Sequence, residues 1–206
     1  MLELSEELGV SCAAFTPSGD DHATLADQVW DVRSTVPPLR IGQWITLRVP
    51  FGAAFVAWGD ADAQADWLAG APADQREPYA AALAASRRRG FVVELRTPPE
   101  QRVRGRWTDE QDLAEGIAPP DEVVQQLVDE LAGEPEFLPV DLDDARAYDV
   151  STIGAPVFDA DRRVGLNLVL LGFSTTLTGA AVQRLGTRLR HATDALSTSL
   201  GRPEHT

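Results

Sequence analysis

The chain has 206 residues, 44% hydrophobic and 24% charged, with a formal net charge of −14. Such a composition describes a globular chain of one large or two small domains, long enough to bury most of its apolar surface without staples. Its acidic balance, with all eighteen basic residues arginines, makes this chain a poor DNA binder on its own, because neutralising phosphates supplies most of that affinity. A single cysteine, Cys12, rules out an internal disulfide framework. No apolar run approaches the roughly 18–20 residues of a membrane span, and no basic-then-apolar leader opens the sequence, so a cytoplasmic location is expected.

In chain order, apolar residues at helical spacing predict a short helix over 2–8, stopped by Gly9. Residues 10–16 alternate as a strand, and the Pro17-Ser18-Gly19-Asp20 turn leads into a second strand over 22–32. After the break at Pro37-Pro38, residues 44–49 form a third strand candidate. Pro50-Phe51-Gly52 then turns into a helix over 53–58, followed by another over 61–68, with Trp58 and Trp67 expected to pack between them. Residues 72–74 cap the next helix, which carries Pro78 in its first turn, where proline is tolerated. It ends at Arg87-Arg88-Arg89-Gly90. Three arginines invite a phosphate-binding reading, but basic residues matched to the dipole of a solvated helix end are the simpler account. A strand over 91–95 follows.

Residues 97–116 are polar and proline-rich and read as a surface excursion. Pro119-Pro120 opens a helix with the apolar stripe Val123, Val124, Leu127, Val128 and Leu131, closed by Gly133. The acidic run at 141–144 reads as a solvated turn rather than a cation loop.

The stretch 148–173 predicts two buried strands joined by a polar turn at 159–162. Tyr148, Val150 and Thr152 should share one face, with Ser151 and Ile153 on the other. Pro156 removes a ladder donor, which places it at an edge or a bulge. The second strand, 164–171, is apolar on both faces except for Asn167, so it should be covered on both sides. An unpartnered buried amide there would cost roughly 1–3 kcal/mol, so backbone, water or a ligand should meet it. A long helix over 178–200 closes the chain, with Val182, Leu185, Leu189, Ala192 and Leu196 as its apolar stripe.

Chemistry-bearing motifs are scarce. His22, His191 and His205 lack metal-ligand spacing, and there is no nucleophile elbow, phosphate loop or dinucleotide fingerprint. Cys12 reads as a small core residue. Asp141 or Asp143 with His22 is the only ionisable pairing on offer, so no enzyme, no catalytic residue, no metal and no cofactor are expected. A mostly apolar mouth with one or two placed polar groups is the common form of a small-molecule site. Residues 47–52 and the 148–173 hairpin supply those types in Phe51, Phe55, Thr152, Asn167 and Val169. The competing reading is a dry core in which Thr152 and Asn167 satisfy each other.

Four segments together resemble the effector-binding domain of IclR-type transcriptional regulators: LSEELGVSCAAF, VPFGAAFVAW, SRRRGFVVEL and, above all, STIGAPVFDADRRVGLNLVLLGF before the long last helix. The resemblance implies an α+β, GAF-like antiparallel sheet flanked by helices, with a long C-terminal helix. It further implies one effector-binding domain over 1–206 with an inserted or elongated segment at about 97–147, and homodimers or homotetramers. DNA would be reached only through a winged helix-turn-helix domain absent from this sequence. In that family small polar side chains on the last strand, just before its glycine, can bind a ligand carboxylate; Val169 and Leu171 stand at the matching positions. Thr152 matches the family's cysteine or serine on the first hairpin strand, and Pro50 and Phe51 match the ligand-facing backbone before the helix. The expected ligand-binding set is therefore Leu47, Pro50, Phe51, Phe55, Thr152, Asn167, Val169 and Leu171, for an apolar or aromatic effector. The alternative function is an interaction or oligomerisation domain whose pocket is self-filled.

Overall fold

The sheet grows outward from the hairpin of β6 (Val150–Phe158) and β7 (Val164–Leu171). A computed structural model describes residues 1–19, 21–34, 40–97 and 135–200. Ahead of the hairpin come α1 (Leu2–Leu8), β1 (Ser11–Pro17), β2 (His22–Val29), β3 (Trp44–Thr46), α2 (Ala53–Val56), α3 (Ala61–Ala69), α4 (Arg76–Arg89), β4 (Val92–Leu95) and β5 (Ala147–Tyr148). After it come β8 (Leu177–Thr178) and the long helix α5 (Gly179–Leu200). The six-stranded sheet runs β3-β2-β1-β7-β6-β4, antiparallel throughout, while β5 and β8 pair separately. This is the α+β arrangement of a curled antiparallel sheet with flanking helices that the resemblance implies.

The turn between β6 and β7 is held by Asp159. Its carboxylate accepts from the backbone N–H groups of Asp161 and Arg163, each at 2.9 Å. Arg162 takes the left-handed φ of 61°. Pro156 lies past the end of β4, which pairs β6 only from Val150 to Gly154. Its missing N–H therefore costs the ladder nothing, as expected of a strand proline.

β7 is apolar on both faces because both are covered. Leu168 and Leu170 belong to the core under α5, together with Cys12, Ala14, Ile153, Ala155, Val182 and Leu189. Val169 and Leu171 point the other way and pack with Ala13, Phe15, Leu25 and Phe55. α2, α3 and α4 form a third cluster, which joins the sheet through Val92.

Several expectations need correction. Tyr148, Val150 and Thr152 do not share a face. The β4–β6 register jumps from Glu94↔Thr152 to Leu95↔Val150, so Ser151 is an extra residue. Such a bulge puts Val150 and Ile153 on the α5 side together and turns Thr152 to the opposite face. β3 stops at Thr46 rather than running to 49. Beyond it Leu47 N–H bonds Asp21 C=O at 2.8 Å and Phe51 N–H bonds Arg48 C=O at 2.7 Å, closing a turn around Pro50, which has no N–H to give a ladder. Helix α4 begins at Arg76, which leaves Pro78 still in its first turn.

The polar stretch 97–116 read as a surface excursion begins at Thr97, which is buried. Residues 98–134, including the rest of that stretch and the helix expected from the 123–131 stripe, lie outside the described residues. Phe137 and Leu138, however, are buried in the cluster of α2, α3 and α4. On α5 the buried line is Val182, Gly186, Leu189 and Thr193. Leu185 and Ala192 pack at its flank, and Leu196 is 43% exposed. Gly186 permits this geometry: a β-carbon there would stand 2.4 Å from ring atoms of Phe91.

Candidate functional site

The face of the sheet away from α5 is where most of the expected ligand-binding residues meet. Leu47, Phe55, Val169 and Leu171 pack into one cluster with Ala13, Phe15, Ala23 and Leu25. Thr152 faces the same side, opposite Leu171 on β7 and Glu94 on β4. Asn167 does too, opposite Phe15 on β1 and Pro156 on β6. Gly52 sets the approach of α2 to this face. Its φ is +79°, and a β-carbon on it would lie 2.7 Å from the Leu47 Cα, a backbone contact that cannot move aside.

Pro50 and Phe51 sit differently. Pro50 is buried in the turn, after a cis Val49–Pro50 bond. The Phe51 ring packs against the helical cluster, edge-on to Phe137 at 5.6 Å. Its backbone is also in use: the N–H donates to Arg48 C=O, and the C=O accepts from Trp67 Nε1 at 2.8 Å. Trp67 in turn meets Tyr79 edge-on at 5.7 Å, and Trp58 packs against the same cluster.

Thr152 and Asn167 do not satisfy each other. On β6 Thr152 is four residues from Pro156, the partner of Asn167, about 13 Å along a strand. Thr152 Oγ1 donates instead to Glu94 Oε2 at 2.7 Å. This pair spans 58 residues, and sequence spacing gave no sign of it. Asn167 is 5% exposed, and its buried Oδ1 has no hydrogen-bond partner among the described residues. Around it stand Phe15 and Pro156 in register, with Gly154 and Ala54 next to them. A β-carbon on Gly154 would lie 3.1 Å from the amide nitrogen and 3.5 Å from the Ala54 β-carbon. None of these neighbours offers a polar side chain.

From Asn167 to Leu171 both faces of β7 are buried. Leu168 and Leu170, under α5, are 3% and 0% exposed, whereas Asn167, Val169 and Leu171 keep 5%, 8% and 7%. Phe55 and Ala54 on α2 keep 8% and 7%, and Phe15 keeps 6%. The polar groups of this face are thus the buried Asn167 amide and, about 13 Å along β6, the Thr152–Glu94 pair.

The other candidates have structural roles or stand at the surface. Arg89 is neither a solvated helix end nor a phosphate ligand. Its guanidinium donates to Phe91 C=O at 2.8 Å, Pro139 C=O at 3.0 Å and Ser86 Oγ at 3.0 Å, and lies over the Phe91 ring. Burial pushes it down to about 10, still protonated at neutral pH. Arg87 and Arg88 are exposed. Cys12 is wholly buried, and the same desolvation pushes its thiol up to about 11, far from a nucleophile's range. His22 pairs with Asp21 and Trp44, while the Asp143 carboxylate caps its own turn at Ala145 and Arg146. His191 is exposed on α5, beside a shallow open depression lined by Gln183, Arg184, Thr187 and Arg188. Among the described residues no cluster of metal-ligating side chains occurs, and no helix is long and apolar enough to cross a membrane.

No family model and no curated protein sequence matches the chain. Its fold, in contrast, recurs in solved transcriptional regulators. The IclR regulator of Alicyclobacillus acidocaldarius superposes with a TM-score of 0.60 at 15% identity, over 97% of this chain and 64% of that one. The Thermotoga maritima IclR gives 0.61 at 13% identity, over 98% and 65%. The C-terminal domain of a transcriptional regulator from Vibrio cholerae gives 0.54 at 15% identity, over 95% and 90%. The chain therefore has the fold found in the C-terminal domain of IclR-type transcriptional regulators. It spans about 64% of the length of the Alicyclobacillus protein.

Proposed function

We propose that the chain is a small-molecule-sensing domain of an IclR-type transcription regulator, that its effector lies between α2 and the sheet, and that binding there controls a separate helix-turn-helix domain. The buried Asn167 amide, whose Oδ1 meets no partner among the described residues on an otherwise apolar face, carries this reading. Leu47, Phe55, Val169 and Leu171 would supply the apolar walls, Thr152 and Asn167 the polar groups, and Pro50 and Phe51 the turn that holds α2 over them. An apolar or aromatic effector fits walls of this type. For signalling it must bind two states of the domain unequally, and assembly as a homodimer or homotetramer would couple those states between copies.

A thermal-shift panel of apolar, aromatic and carboxylate compounds tests the proposal. A ligand at a hundred times its dissociation constant should add about 2.7 kcal/mol of stability, and Val169→Trp, which adds bulk between α2 and the sheet, should abolish the shift while leaving the protein folded. If nothing on the panel stabilises the wild-type chain, or Val169→Trp responds as strongly as wild type, the reading is wrong. The chain would then be better described as an interaction domain with a self-filled pocket.

A further inference from the structure

We propose that the outer face of α1 and α5 docks a second copy of this chain, with Arg184 of each copy meeting Glu3 and Glu6 of the other; this rests on the homo-oligomer proposed above but not on its pocket. α1 bears three glutamates and no base, while α5 bears three arginines and one aspartate. The two helices share one core, to which Leu4, Val182 and Leu189 belong. Their outer edges are tied by Arg188 Nη2 and Glu7 Oε2 at 2.6 Å. Glu3 stands one helical turn before Glu7, and Arg184 one turn before Arg188, so an acidic row on α1 flanks a basic row on α5. Glu3, Glu6 and Arg184 are exposed, and none has an ion-pair partner among the described residues. Arg184 also lines the shallow open depression of α5. The same two helices leave Leu2 and Leu196 59% and 43% exposed, apolar surface that a second copy would cover.

Two copies of a chain with a formal charge of −14 repel over most of their surface, so a stable contact needs a face where opposite signs meet. The α1–α5 face meets that condition with itself. A two-fold rotation that lays α1 of one copy across α5 of the other sets each basic row against an acidic one, and in an isologous contact every such pair occurs twice. Arginine suits the role because its planar fork engages a carboxylate bidentately, as Arg188 already does with Glu7. A partner of one sign, such as a nucleic acid or an acidic peptide, would gain at Arg184 but be repelled by the glutamates alongside. With 22 residues, α5 is about 33 Å long, enough for a contact of ordinary size.

Sedimentation equilibrium of the full chain over a hundredfold range of concentration tests the proposal, with circular dichroism as the folding control for each variant. Wild type should self-associate in dilute buffer and do so at least tenfold more weakly in high salt. Arg184→Glu alone, and Glu3→Arg with Glu6→Arg, should each stay folded and associate at least tenfold more weakly, because each sets like charges against like. Mixed in equal amounts, the two variants should pair again, since each then carries the charge the other lacks. Wild-type oligomers that both variants leave intact, or a mixture that fails to pair, would overturn this face while leaving the homo-oligomer. A wild-type chain that stays monomeric throughout would overturn both, and the ligand panel would still decide the pocket separately.

Discussion

The Phe91 ring occupies the space that a side chain at Gly186 would need: a β-carbon there would lie 2.4 Å from two ring carbons and 2.5 Å from a third. Gly186→Ala on an exposed helix would gain about 1 kcal/mol from propensity. Here the ring is 2% exposed and bears the Arg89 guanidinium on its face, so it cannot swing clear. Overpacking of this kind costs about 1–3 kcal/mol, and the clash should win. Chemical denaturation should show Gly186→Ala less stable than wild type. Phe91→Leu should recover part of the loss in the double variant, because the two sites touch and their effects should not add.

Arg89 joins the same corner. Its three donors tie the end of α4 to the start of β4 and to Pro139. Hydrogen bonds from a charged group contribute about 1.5–3 kcal/mol each, although bonds that share one side chain do not add. Arg89→Met keeps the apolar stem and loses every donor, so it should lower the unfolding free energy by about 2–4 kcal/mol. Arg89→Lys keeps the charge but not the fork and should fall between. Urea midpoints with unchanged slopes would check the order. Arg87→Ala, on an exposed neighbour, should change little.

How much of this was legible in the sequence follows from how local each cause is. The β6–β7 hairpin could be read because its causes are contiguous: Asp159 in the turn, Pro156 beyond the edge of β4, and a strand apolar on both faces. Asn167 stood out because it interrupts that strand. Phe55 and Val169 were legible by residue type, whereas Leu171 enters only through the family resemblance, because alternation cannot choose a face on a strand that is apolar on both. The bulge at Ser151 could not be anticipated, since it depends on how β4 meets β6, and it reversed the face of Thr152 relative to Val150. The Thr152–Glu94 bond joins residues 58 apart. Phe137 and Leu138 sit between prolines and acids that masked their burial. Phe51 turned toward the helices because its carbonyl is claimed by Trp67, a contact sixteen residues away in sequence.

Cys12 gives the fold a pH dependence with a definite sign. Burial raises its thiol from an ordinary 9.0 to about 11, so the folded state resists ionising a group that the unfolded chain ionises freely. The stability associated with the neutral thiol is fully present below pH 9 and is lost as pH climbs toward 11. A gap of this size corresponds to roughly 2–3 kcal/mol. Unfolding free energies of wild type and Cys12→Ala, measured from pH 8 to 10.5, should therefore converge as pH rises. A constant difference across that range would mean the thiol is not desolvated. Thiol reagents should also leave native Cys12 unmodified at pH 8 and react once denaturant is added.

Asn167 sets stability against binding in the ligand-free protein. Its amide is buried among Phe15, Pro156, Gly154 and Ala54, with its oxygen unpartnered, and a group so placed costs about 1–3 kcal/mol. Leucine has similar volume and no polar atoms, so Asn167→Leu should remove that cost and add apolar contact with the cluster around Val169. The variant should be more stable than wild type by about 1–3 kcal/mol in denaturant titrations without added compounds. Asn167→Ala is the control. It also removes the amide but leaves space behind, and cavity cost should cancel much of the gain. If leucine instead destabilises the chain as much as alanine does, the amide is satisfied in the free protein, and Asn167 is a structural residue rather than one held ready for a ligand.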